Sequence, residues 1–186
     1  MRKGRAAVAV AVAATGALVL VLVLANWIQV VPSTRELAVS AAGDTLPKAE
    51  SALVNALTDY PDMTTLLAAM RGGETRLEPT LIGATTRDDV VDARFNRQGV
   101  ALYDVRIADG QLRADVLVSA RGSTSDWTGQ RDETAYLCVR LLGTPTQPDT
   151  ATIDQITCPV NLITIAFVGS PATAVSLVDV RQAARN

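Results

Sequence analysis

The sequence contains no histidine. That absence removes the commonest general base and the commonest metal ligand, and with them every Ser-His or Cys-His catalytic pairing. Lysine is nearly missing as well, with Lys3 and Lys48 alone, and no S-x-x-K surrounds Lys48. A Ser–Lys hydrolase therefore has no candidate nucleophile pair. The G-x-S-x-G, H-E-x-x-H, P-loop and G-x-G-x-x-G patterns are all absent. Aromatics make up only 4% of the chain, too few to suggest a sugar-stacking cleft. What remains for chemistry is carboxylates: Asp88, Asp89, Asp92, Asp104, Asp115, Asp126 and Glu133. Paired acids run glycoside hydrolysis, but these fall in no calcium-loop spacing and announce no cleft. The expectation is a non-enzyme with no catalytic residue, no cofactor and no metal.

Basic charge is scarce where a nucleic acid would need it. Arg2, Lys3 and Arg5 precede any acid, and the other 14 of the 17 basic residues share the rest of the chain with all 19 acids. That remainder carries −5 and has no Lys/Arg cluster, so nucleic acid is excluded as a partner. Arginine in place of lysine, with abundant Ala and Val, is the composition of a GC-rich bacterial genome.

What is present begins with one long apolar run. From Ala6 to Thr34 there is no charged residue. As a helix, 6–31 measures about 39 Å at about 1.5 Å per residue, against a hydrocarbon core of about 30 Å. Three basic residues before the run place the N-terminus in the cytoplasm and the rest of the chain outside. Trp27 falls where a headgroup-level ring belongs, and Pro32 stops the helix. The expectation is a retained signal-anchor. Its alternative is a cleaved signal peptide, with Val23-Leu24-Ala25 as the small-residue site and cleavage before Asn26.

The opening Met1-Arg2-Lys3-Gly4 resembles the short basic leader of type IV pilin subunits, which would imply a pilin-like subunit. The family places an acid five positions after that glycine; here the position is Ala9.

Residues 32–44 read as a tether of small residues, followed by an α+β domain over 45–186. Thr45 or Asp44 caps a predicted helix with Pro47 in its first turn, ended by Pro61. Asp62 and Gly72-Gly73 bound a second helix. Residues 87–97 read as a short helix capped by Thr86 with Asp89 three later, with a strand, "DVVDARF", as the alternative.

The clearest hairpin turns at Asp109-Gly110. It predicts Ile107 opposite Leu112, Val105 opposite Ala114, Tyr103 opposite Val116 and Ala101 opposite Val118, all on one buried face. The other face is expected to be wet, with Asp104 and Arg106 meeting Arg113 and Asp115 on the diagonals. "TAYLCVRLLG" reads as a strand burying Ala135, Leu137, Val139 and Leu141, and residues 151–169 as one or two more. Residues 122–133 and 143–151 read as exposed loops, and "SPATAVSLVDVRQAARN" as a closing helix. Trp127 is expected to lie over the core's edge; its alternative is an exposed contact.

Two cysteines in a domain placed outside the membrane read as one disulfide, Cys138–Cys158. Such a loop contributes about 3 kcal/mol. The predicted fold class is α+β, with N-terminal helices packed on an antiparallel sheet behind a transmembrane helix. By elimination, the function expected is an interaction or scaffold module of a bacterial cell-envelope assembly, with the membrane and an envelope protein as partners. A binding domain for a small envelope ligand is the alternative, and a carboxylate hydrolase ranks below both.

Overall fold

The computed structural model describes residues 32–95, 97–127 and 129–185. The apolar run 6–31 lies outside them, as do Arg2, Lys3, Arg5 and Trp27. Among the described residues no helix is long and apolar enough to cross a membrane.

A helix begins where the sequence suggests a tether. α1 spans Thr34–Asp59, so residues 34–44 are its first turns and Thr45 starts nothing. Ser33 is the cap. Its hydroxyl accepts from the Glu36 N–H at 3.2 Å, and the Glu36 carboxylate accepts from the Ser33 N–H at 2.7 Å. This is a reciprocal capping box. Pro47 sits inside the helix, where a missing N–H and ring clash cost about 3 kcal/mol. Burial offsets that cost: Ala38, Ala42, Leu46, Ala49, Leu53 and Leu57 form one fully covered face. Each large apolar side chain so buried stabilises by about 1.5–3 kcal/mol.

α2 (Met63–Gly72) is capped by Asp62, which accepts from the Thr65 N–H at 2.8 Å, and ends on Gly73 in the left-handed region. α3 (Arg87–Asp92) has the Thr86/Asp89 capping box and is the helix of the two readings.

The sheet is built from β1 (Gly99–Ala108), β2 (Gln111–Asp126), β3 (Gly129–Thr144) and β4 (Gln147–Ile156), antiparallel in that order. A three-residue β5 (Ala172–Ala174) runs parallel to β3, making the sheet mixed. The segments 122–126, 129–133 and 147–151 are therefore strand, not loop. The arm of 122–126 and 129–133 is hidden in the sequence because two strands with both faces wet lack an apolar period.

Asp109 and Gly110 both have positive φ, as the two-residue turn requires. The predicted pairs Ile107–Leu112 and Val105–Ala114 form. Beyond them a bulge at Tyr103 moves the register by one, so Leu102 faces Val116 and Ala101 faces Leu117. An extra residue on one strand sends its successors to the opposite face. Ala101 and Tyr103 thereby join a second core on the other face of the sheet. Leu102, Val116, Val118, Leu137, Val139 and Leu141 pack under α1. Ala101, Leu117 and Cys138 face Leu81, Val90, Leu162 and Phe167 on the other side.

That second layer contains α4 (Val160–Ala166), where the sequence suggests strand. Pro159 begins it, a residue that opens a helix but cannot donate to a ladder. Both phenylalanines are here, Phe167 meeting Phe95 edge-on at 6.3 Å and stacking on Tyr136 at 5.3 Å. The closing helix α5 (Leu177–Ala183) starts seven residues after Ser170, capped by Ser176. The residues before it complete the sheet instead: Thr134 donates to the Pro171 carbonyl, and Val175 donates to that of Tyr136. β4 leaves β3 at Cys138, and β5 takes up the edge groups it vacates.

Candidate functional site

Cys138 and Cys158 are joined, with Cα atoms 5.2 Å apart. Cys138 lies opposite Ile156 in the β3–β4 ladder, so the bond pins the end of β4 and the start of α4 to the central strand. It is buried on the Cys138 side and belongs to the second core.

Beside it the sheet forks. Between the departing β4 and the arriving β5 opens a cleft of about 500 Å³, with α4 as its far wall. Tyr136, Ile156, Ile163 and Val175 give it an apolar lining, with Gln155, Thr157 and Thr164 as polar groups. The Gln155 amide oxygen is committed, accepting from the Leu177 N–H at 2.7 Å. Val160 stands 80% exposed at the cleft. Nothing in "CPVNLITIAF" announced this wall, because its apolar run suits strand and buried helix equally.

α4 covers only part of its sheet face. Past Cys138 the face is open, and a cross-strand row runs Asp104–Asp115–Arg140–Asp154 over all four long strands. The charges do not meet on the predicted diagonals. Asp104 pairs with Arg106 on its own strand, and Arg113 pairs with Asp109 at the turn. Asp115, nearly buried, takes both nitrogens of an Arg140 fork at 2.7 and 2.8 Å. These hydrogen bonds, with the attraction of the Asp115 charge, raise the pKa of Arg140. Burial, helped by the Asp115 charge, pushes the Tyr103 phenol upward, so it stays protonated at neutral pH. Arg140 and Asp154 were legible in principle, since both fall on the polar phase of their strands.

The remaining acids are dispersed. Asp89 is held by the Thr85 and Thr86 N–H groups in the α3 cap. Asp88 and Asp92 are exposed on the same short helix. Glu133 accepts from Thr173 at 2.8 Å. The side chain of Asp126 lies outside the described residues. Among the described residues no group of three acids or cysteines is placed to hold a metal ion.

Trp127 is not a lid. It is 96% exposed at the tip of the β2–β3 arm. Below the tip Asp132 braces the arm, accepting from Ser123 on the facing strand at 2.6 Å, from Gln130 at 3.1 Å and from Arg121. These bonds, led by that from Ser123, hold its carboxyl below the usual range.

No family model matches the chain, and no curated protein or solved structure matches it either.

Proposed function

We propose that the chain is a non-catalytic interaction module held on the outer face of a bacterial cell membrane by residues 6–31, where it docks an envelope protein. The observation that carries this reading is the Cys138–Cys158 bond, built into the second core. Structural disulfides belong to oxidising compartments, and the apolar run is the device that would deliver the domain there. The open sheet face supplies a docking surface. Its charges are mostly self-paired, and such a surface suits a protein partner better than a small molecule.

Site-specific photo-cross-linking in intact cells tests the docking face. A cross-linker at Arg106, on the open face, is expected to give a discrete adduct, whereas one at Thr58, on the exposed side of α1, gives none. Equal labelling from both positions contradicts the docking face.

The cleft beside the disulfide favours a second reading, a small apolar envelope ligand. Its size and its apolar lining with a few polar groups match the usual ligand site. Native mass spectrometry of the membrane-extracted protein distinguishes the two. A bound small molecule that is lost in an Ile163→Trp variant supports the ligand; identical bare masses support the protein-docking reading.

A further inference from the structure

α1 has a proline where a helix least accommodates one. Pro47 lies inside the helix and lacks the N–H that the hydrogen-bond ladder needs. It is exposed, so core packing does not explain it. A pocket of about 430 Å³ opens at this turn, within the usual size of a small-molecule site. Pro47, Lys48 and Ser51 line it from α1, since residues three and four apart share a helix face. Arg76 and Leu77 come from the segment between α2 and β1, and Val100 from β1 itself. Leu77 is fully buried and belongs to the core under α1, so the pocket has an apolar floor.

The charge here is of one sign. Among the described residues, neither Lys48 nor Arg76 has an ion pair, and the Ser51 hydroxyl has no hydrogen-bond partner. Glu50, Glu74 and Glu78 each stand two residues from one of these cations, yet none lines the pocket. Glu50 reaches Arg181 instead. Two further clefts contain arginines, and each brings its own acid: Glu50 and Asp154 beside Arg181, and Asp132 beside Arg97 and Arg121. The pocket at Pro47 thus offers donors and positive charge with no acceptor of its own.

We infer that this pocket binds a small organic anion, an apolar body ending in a carboxylate. Arg76 presents a planar fork of N–H donors to the carboxylate, Lys48 a point charge and Ser51 a hydroxyl. Leu77, Val100 and the Pro47 ring take the apolar body. The site needs neither the anchor nor the docking face, because it lies on the α1 side of the sheet.

The test uses the full chain in a nonionic detergent, carrying ¹³C at lysine Cε. Two lysine signals arise, from Lys48 and from Lys3 as an internal control. Hexanoate and acetate are titrated separately. Each buried methylene strengthens binding about fourfold, and hexanoate has four more than acetate. The Lys48 signal is expected to shift saturably, with a hexanoate midpoint at least tenfold below that of acetate, while Lys3 stays still. Arg76 is exposed, so Arg76→Gln spares the core; it is expected to raise the hexanoate midpoint at least threefold, and Arg76→Lys to recover part of the loss. Equal midpoints for the two anions, lysines that shift together, or an Arg76→Gln variant that binds as before would each overturn the site.

Discussion

Gly122 is the residue on which the packing of α1 most depends. The missing side chain admits backbone, the Thr34 carbonyl and the Ala38 N–H, which cannot swing aside. Gly122→Ala is expected to lower stability by about 1–3 kcal/mol, the range for overpacking a filled core. Gly72→Ala, where the nearest outside atom is 3.8 Å away and φ is ordinary, is expected to be neutral or slightly stabilising. Denaturant melts of the two variants check this, and equal midpoints contradict it. Asp115 is a second sensitive position. Asp115→Ala leaves the Arg140 fork without its carboxylate, but Arg140 is 28% exposed, so water recovers part of the loss. A cost of about 1–3 kcal/mol is expected, below that for a wholly buried pair. No loss at all in the same melts would mean that the pair is screened like a surface one.

Elements show which parts of the fold the sequence made readable. α2 and α3 were readable because their caps are local: Asp62 and Gly73 bound one, and Thr86 with Asp89 opens the other. The start of α1 carried the same signal, Ser33 and Glu36, but the small residues after it and Pro47 suggested a later beginning. The Tyr103 bulge was not readable, since one extra residue in a strand leaves alternation on either side intact. α4 and β5 were not readable because long-range pairing decides them: β5 exists to satisfy an edge that β4 abandons. The candidate site fared likewise. The disulfide followed from counting, while the cleft and the charged row depend on which strands become neighbours.

The caps also predict how stability changes with pH. Backbone N–H groups hold the carboxyls of Glu36, Asp62 and Asp89 below their ordinary values. A group with a depressed folded pKa stabilises above its unfolded pKa, about 4, and loses that contribution as pH falls through the folded value. The melting temperature is expected to be level from about pH 7 to 5 and to fall below about pH 4. Asp62→Asn with Asp89→Asn flattens part of that fall. An unchanged slope in the double variant contradicts the assignment to the caps.

For the whole molecule, compartment and fold are linked through one bond. The second core packs both phenylalanines with Leu81, Leu117, Leu162 and Tyr136, and the disulfide ties it to the sheet. Cys138→Ser with Cys158→Ser is expected to cost about 3 kcal/mol, read as a lower denaturation midpoint. In the proposed function this bond is the reason for placing the domain in an oxidising compartment, with residues 6–31 proposed as the anchor that delivers it there. Intact-mass spectrometry of the chain extracted from the membrane fraction, alkylated without reductant, tests this most directly. The expected result is a chain still carrying residues 6–31 with no alkylation at Cys138 or Cys158. An N-terminus at Asn26 contradicts the anchor, and two alkylated thiols contradict the compartment.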